Sequence, residues 1–109
     1  MDTWHAHHEP HAAEVLRGAP DGSVKSVQVS DVACEASAAD YVTATMHARR
    51  LPGDGGADLV GWVRLLDAIG AWAPLGVEVL SDALHALPPK EAAERAGMAM
   101  RAVLAAARA

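Results

Sequence analysis

A carboxylate set among apolar residues is the strongest chemical signal in this sequence. Glu78 lies in the segment 74–80 (PLGVEVL), with a valine on each side, and Gln28 has a similar setting in the segment 24–30 (VKSVQVS). A charged group in an apolar strand is costly unless it is paired, hydrogen-bonded or bound to a metal. We therefore expect Glu78 to be either a metal ligand or a structural carboxylate held by an arginine or by backbone amides.

Two further segments could contribute to a site. The N-terminal residues 1–5 (MDTWH) are typical of the end of a strand, and the segment 49–56 (RRLPGDGG) reads as a glycine-rich loop. The loop lacks the Lys-Ser/Thr pair of a phosphate-binding loop, which favours a turn over a phosphate site. Histidines 5, 7, 8 and 11 could chelate zinc, but no cysteine or second pair completes a tetrahedral set, so a solvated segment is favoured.

Composition restricts the class of protein. The chain of 109 residues is long enough for one small domain, and its net charge of −5 argues against binding to nucleic acid. The single cysteine, Cys34, has no internal disulfide partner, which fits a reducing compartment. No apolar run approaches the roughly 20 residues of a membrane span. We expect a cytoplasmic protein without a membrane partner.

The predicted elements alternate between strands and helices. The first part of the chain is predicted to contain a strand end at 1–5, a loop at 6–11, a helix at 12–17 and a strand at 24–30. A long connection follows at 31–56, with a helical turn around 36–41. The last part is predicted to contain a helix at 59–69, a strand at 75–80, a short helix to about 87 and a helix at 89–108. This order predicts an α/β fold with parallel strands. The chain has less than half of the about 250 residues of a complete eight-stranded barrel.

Four segments of the chain, in their order along the sequence, resemble the C-terminal part of the sugar phosphate isomerases/epimerases, a family of xylose isomerase-like TIM barrels. The matching segments are 2–5 (DTWH), which resembles a strand ending in Asp-Thr-aromatic-His, 27–31 (VQVSD), 49–55 (RRLPGDG) and 76–79 (GVEV). The resemblance covers nearly the whole chain. It implies that residues 1–109 form a partial (β/α)8 barrel, equivalent to the last three strand positions and their helices.

The same resemblance implies a ligand set and a substrate site. Asp2, Gln28 and Glu78 would bind a divalent metal, Mn²⁺ or Mg²⁺ with Zn²⁺ as an alternative, and the family's fourth ligand lies on an earlier strand that this chain does not contain. His5 matches a histidine that contacts substrate, and Arg49 matches an arginine that binds a substrate anion or hydroxyl. Glu78 and His5 would be the catalytic residues.

The resemblance implies a metal-dependent isomerase, epimerase or lyase. Its substrate would be a small polyhydroxylated carbonyl compound, which loses a proton next to a metal-polarised carbonyl. Gln28 in place of a histidine, together with the Arg–Pro-Gly loop at 49–53, favours the 3-dehydroshikimate dehydratase-like branch. Met46, however, stands where that branch has an arginine. The missing ligand strand leaves three expectations: an N-terminal barrel portion encoded upstream, an inactive fragment, or pairing with another copy or a separate piece. The alternative is an interaction module that docks through an open sheet edge.

Overall fold

Two short parallel strands lie at the centre of the fold. The computed structural model describes residues 1–34 and 40–109 of the chain. Strand β1 (Val27–Val29) pairs in parallel with strand β2 (Leu75–Val77), with Gln28 opposite Gly76. On the other side of β1, Asp2 forms an isolated parallel bridge with Gln28. Three segments that are distant in sequence therefore run side by side in one direction, in a mixed α/β fold.

The described residues also form six helices. They are α1 (Thr3–His8), α2 (Ala12–Arg17), α3 (Tyr41–His47), α4 (Leu59–Ala68), α5 (Asp82–His85) and α6 (Pro89–Ala107). The helices α2, α4, α5 and α6 lie where the sequence predicts helices, and their ends differ from the prediction by at most about two residues. None of the helices in the described part of the chain is both long and apolar enough to cross a membrane.

Alternation along β1 divides the sheet into a core face and an open face. Val27 and Val29 are 2% and 1% exposed, whereas Gln28 between them is exposed. Successive side chains of a strand point to opposite faces, so Gln28 lies on the face opposite the two valines. The core consists of Val27, Val29, Leu59, Val63, Leu66, Met100, Val103 and Ala107. Burying each of the larger side chains stabilises the fold by about 1.5–3 kcal/mol.

Helices α4 and α6 cover the core face. Asp58 caps α4, since its carboxylate accepts the N–H of Gly61 at 2.8 Å, and Gly70 ends the helical segment with a φ of 69°. At the far end of the pair, both guanidinium contacts of Arg108 with the Asp67 carboxylate measure 2.9 Å. The Asp58 cap, the turn at Gly70 and the ion pair between Asp67 and Arg108 therefore define the ends of this helix pair.

The N-terminal segment differs from its predicted loop. The sequence predicts an irregular segment at 6–11, but α1 spans Thr3–His8. Asp2 begins this helix, because its carboxylate accepts the N–H of Trp4 at 2.8 Å. Thr3 and Trp4 are each only 2% exposed, so tertiary packing stabilises a helix that lacks an apolar period of its own. Of the strand end predicted at 1–5, the structure has only the isolated bridge between Asp2 and Gln28.

Helix α3 lies inside the connection that the sequence predicted to be mostly irregular. Asp40 caps it by accepting the N–H of Thr43 at 2.8 Å. Positions 36–39 of the helical turn expected around 36–41 lie outside the described residues. Both strands are shorter than predicted, because β1 lacks positions 24–26 and 30 of the predicted strand and β2 lacks positions 78–80. Beyond the strands, Asp31 forms an isolated bridge with Arg50, and Ser81 forms one with Ala48.

Candidate functional site

The three predicted ligand residues meet on the open face of the sheet. The amide Nε2 of Gln28 donates to Oε1 of Glu78 at 3.0 Å. Arg49 links Asp2 to Glu78, because its Nη1 donates to Oδ2 of Asp2 at 3.0 Å and lies 3.8 Å from Oε2 of Glu78. Four polar side chains from separate parts of the sequence therefore form one connected group.

The strand register explains why these side chains share a face. Asp2 pairs with Gln28, and Gln28 pairs with Gly76, so Glu78 lies one pleat further along the same face. Val27 and Val29 occupy the opposite face and hold β1 in the core. A slip by one residue would turn Gln28 into the core, so the burial of the two valines fixes the position of the polar group.

Arg49 is buried at the centre of the group. Its side chain is 3% exposed, and its Nε donates to the carbonyl of Thr45 at 2.8 Å. Nη1 also lies 3.4 Å from Oγ of Ser30, and the guanidinium carbon is 5.4 Å from the centroid of the Trp4 ring. One cation therefore compensates two carboxylates that would otherwise repel each other. Substrate binding by Arg49 stays a prediction.

The two carboxylates differ in exposure. The Asp2 side chain is 12% exposed, whereas Glu78 keeps 41% of its side chain exposed. The apolar neighbours of Glu78 in sequence suggested a more enclosed carboxylate. Glu78 lies on the face of the sheet opposite α4 and α6, and this explains why more of its side chain is exposed. Both sequence-based alternatives for Glu78 persist, because an arginine lies near it and the carboxylate is still accessible to a ligand.

His5 lies at the edge of this group and contacts a residue that sequence reasoning missed. Its Nε2 is 3.6 Å from Oδ2 of Asp2, and its Nδ1 makes a short hydrogen bond with the hydroxyl of Tyr41. Tyr41 begins α3, and the sequence signal that could have located it is the capping residue Asp40 directly before it.

The glycine-rich loop is organised by Asp31, a second residue to which the sequence assigned no role beyond the strand end. Its buried carboxylate accepts four backbone N–H groups. Oδ1 accepts from Val32 at 2.8 Å and Ala57 at 2.9 Å, and Oδ2 accepts from Gly53 at 3.0 Å and Gly55 at 3.1 Å. The loop amides are therefore occupied by a carboxylate of the chain itself, in agreement with a turn and not with a phosphate site.

The donor types of the group suit a hard cation. Two carboxylates and one amide are oxygen ligands of the kind that Mg²⁺ and Mn²⁺ prefer. Both oxygens of Asp2 already accept hydrogen bonds, so binding a metal there would require one of these contacts to be exchanged. Within residues 1–34 and 40–109, no three or more His, Cys, Asp or Glu side chains are grouped in a way that could hold a metal ion. The histidine-rich segment therefore gains no support as a zinc site.

Comparison with known proteins shows which solved structure has a similar fold. No protein-family model matches the chain, and the curated proteins contain no significant match. Among solved structures, the chain is similar to a xylose isomerase-like TIM barrel/4-hydroxyphenylpyruvate dioxygenase fusion protein, with a TM-score of 0.71 and 26% sequence identity. The match covers 92% of this chain and 15% of that protein. The similarity supports the xylose isomerase-like superfamily at the level of fold.

Proposed function

We propose that this chain forms the last three strand positions of a xylose isomerase-like (β/α)8 barrel and carries part of its metal site. One observation supports the proposal most directly. Asp2, Gln28 and Glu78 share one face of three parallel segments, and Arg49 joins the two carboxylates. In barrels of this kind, active sites lie at the carboxyl ends of the strands. Glu78 directly follows β2 and Asp2 directly precedes α1, so two of the three side chains lie where their parallel segments end.

In this proposal Asp2, Gln28 and Glu78 hold a divalent cation, Mn²⁺ or Mg²⁺. Gln28 would bind through its amide oxygen, after rotation of the amide that now donates to Glu78. Three donors leave coordination positions open, and a fourth protein ligand would come from another strand, on a longer chain, a separate piece or a second copy. The bound cation would polarise a substrate carbonyl and so acidify the neighbouring C–H bond.

Glu78, His5 and Arg49 act on a small polyhydroxylated carbonyl compound, and Glu78 therefore has two roles, as metal ligand and as base. Glu78 is exposed enough to reach a substrate and accepts the proton removed from carbon, while His5 contacts a substrate oxygen. Arg49 holds Asp2 and Glu78 in place and supplies positive charge for an anionic or hydroxyl group of the substrate. The reaction class is isomerisation, epimerisation or elimination. The 3-dehydroshikimate dehydratase-like form of the proposal rests on Gln28 and on the Arg–Pro-Gly loop at 49–53, and Met46 argues against it.

Manganese binding by the 109-residue chain tests the metal site directly. Electron paramagnetic resonance of Mn²⁺ reports the free ion during a titration with the wild-type chain, Glu78→Gln and a control, Glu94→Gln. Glu94 lies on the exposed surface of α6 and pairs with Lys90, far from the site in sequence. We expect Glu78→Gln to weaken binding about tenfold or more, in line with losses on perturbing metal sites.

The control variant distinguishes Mn²⁺ binding at a specific site from nonspecific attraction of the ion to an acidic protein. Equal Mn²⁺ binding by Glu78→Gln and Glu94→Gln would contradict the proposed ligand role of Glu78. Activity is a second measurement, made after the missing strands are supplied as a separate barrel portion. There Glu78→Gln is expected to abolish Mn²⁺-dependent turnover, and the chain by itself is expected to show little.

A second candidate function is an interaction module. Within the described residues, β2 pairs with β1 only, so the other edge of β2 has no strand beside it. Unpaired strand edges favour association with another chain. Light scattering coupled to size exclusion tests this alternative. A dimer that lacks Mn²⁺ binding would favour the module, and a monomer that binds Mn²⁺ would favour the barrel site.

A further inference from the structure

His5 lies between two oxygen atoms that differ in what they can do in a hydrogen bond. On one side, Nε2 is 3.6 Å from the carboxylate oxygen Oδ2 of Asp2. On the other side, Nδ1 makes a short hydrogen bond with the hydroxyl of Tyr41. An ionised carboxylate can only accept, whereas a phenol can donate or accept. The neighbours of the ring therefore favour one tautomer over the other.

We propose that Tyr41 is a positioning residue that holds His5 in the tautomer with its proton on Nε2. A carboxylate beside Nε2 favours a proton on that nitrogen. Nδ1 then carries a lone pair, and the Tyr41 hydroxyl is the donor that satisfies it. The hydrogen-bond partner of Nδ1 thus determines whether Nε2 is a donor or an acceptor. A role of this tautomer in catalysis rests on the proposed function, but the assignment of the tautomer itself does not.

The consequence is a specific role for His5. Its Nε2 is too far from Asp2 for an ordinary hydrogen bond, which needs about 2.7–3.2 Å. The side chain is 53% exposed, so the N–H stays accessible to another acceptor. We therefore assign His5 as a hydrogen-bond donor to an oxygen of the substrate, placed beside the carboxylate of Asp2. A histidine with the opposite tautomer would present a lone pair there and could not donate.

Tyr41 is 46% exposed, but its backbone and its ring both have partners on the two helices. It opens α3, and its carbonyl accepts the hydroxyl of Thr45 at 2.6 Å. The same Thr45 oxygen accepts the indole N–H of Trp4 at 2.9 Å, which ties α3 to α1. The Tyr41 ring also packs edge-on against His8, with centroids 5.1 Å apart. The phenol is therefore positioned by both helices.

His8 provides an internal reference with the opposite tautomer. Its Nδ1 lies 2.7 Å from the carbonyl oxygen of Trp4, which can only accept. His8 must therefore carry its proton on Nδ1 to make this bond when the ring is neutral. Two histidines on one short helix thus have opposite tautomers, and only His5 depends on the Tyr41 hydroxyl.

Long-range ¹H–¹⁵N NMR of the imidazole rings tests the proposal on the full chain without metal. Spectra are recorded at about pH 8, where an unperturbed histidine is neutral. His5→Gln identifies the His5 signals among the six histidines. In the wild-type chain we expect a protonated Nε2 and a hydrogen-bonded, unprotonated Nδ1 for His5. In Tyr41→Phe, which keeps the ring, the Nδ1 shift moves to that of a water-exposed nitrogen, and His8 keeps its pattern.

Each outcome decides the proposal. A proton on Nδ1 of His5 in the wild-type chain would overturn it, and so would an Nδ1 shift that Tyr41→Phe leaves unchanged. If Tyr41→Phe disturbs α3, as seen in its backbone amide signals, the Nδ1 shift of His5 in the wild-type chain decides instead, since a water-exposed value there would overturn the proposal. Failure of Mn²⁺ binding would defeat the proposed metal site but would leave the tautomer measurement untouched, so the two results can be told apart.

Discussion

Nη1 of Arg49 donates to Oδ2 of Asp2 at 3.0 Å, although 47 positions separate the two residues in sequence. The same Asp2 carboxylate caps α1 through its other oxygen. One short side chain therefore starts a helix and anchors the cation that reaches Glu78. The local structure of α1 and the geometry of the polar group consequently depend on each other.

The first prediction concerns Arg49. We expect Arg49→Met to lower the free energy of unfolding by about 3 kcal/mol, because it leaves the largely buried carboxylate of Asp2 without its partner. Urea unfolding measures the loss. Arg95→Met is the matched control, since Arg95 pairs with Glu91 on the exposed surface of α6. A change there is expected to stay within about 1 kcal/mol.

A double-mutant cycle with Asp2 separates this pair from general packing. Asp2→Asn keeps a side chain that can cap α1 and removes the charge that faces Arg49. We expect the double variant Asp2→Asn with Arg49→Met to be less destabilised than the sum of the single variants. Additive losses would show that the contact between the two residues contributes little.

The second prediction concerns Asp31. Its carboxylate is 1% exposed and accepts four backbone amides, so Asp31→Ala leaves buried donors without partners. We expect a loss of about 3 kcal/mol, since each unsatisfied group costs about 1–3 kcal/mol and the loop can relax toward water. Asp54→Ala, an exposed aspartate of the same loop, is the control. Similar urea midpoints for both variants would argue against Asp31 as the anchor.

The third prediction compares two glycines. A Cβ on Gly55 would lie 2.1 Å from the carbonyl oxygen of Val32 and 2.6 Å from Oδ1 of Asp31, and the first neighbour is backbone. A Cβ on Gly76, in β2, would meet nothing within 4 Å. We expect Gly55→Ala to lower the melting temperature clearly and Gly76→Ala to leave it unchanged or raise it. Equal melting temperatures would contradict the close approach of the loop to Asp31.

The fourth prediction is a dependence of stability on pH. The hydrogen bonds from Arg108 hold the pKa of Asp67 below its ordinary value of 3.8. A carboxyl group with a lowered pKa in the folded state adds stability above its unfolded pKa, and this contribution is lost as the pH falls through the folded value. Asp67→Asn is therefore expected to melt below the wild type near neutral pH.

Thermal melts as a function of pH check this difference. The gap between wild type and Asp67→Asn is expected to persist above pH 3.8 and to close at lower pH, when both chains carry an uncharged group at this position. A gap that is constant down to the lowest pH would mean that the amide changes packing and that the charge contributes nothing. High salt is expected to narrow the gap near neutral pH, because the pair is exposed.

Elements with a strong local signal could be predicted. Helix α4 has apolar residues at helical spacing and a capping aspartate before Leu59, and β1 alternates between buried and exposed residues. The face shared by Gln28 and Glu78 follows from the same alternation. Helix α1 could not be predicted, because the segment is rich in histidine and has no apolar period. Its formation depends on the burial of Thr3 and Trp4 by residues distant in sequence.

The amino-acid sequence by itself determined the α/β order, the two long helices and the polar face of the strands, because periodicity and caps act over a few neighbouring residues. Only the tertiary structure decided that Arg49 lies between Asp2 and Glu78, that Asp31 occupies the loop amides and that Tyr41 contacts His5. These contacts join residues that are far apart in the chain. They depend on the packing of β1 between the bridge of Asp2 and β2, which no local pattern specifies.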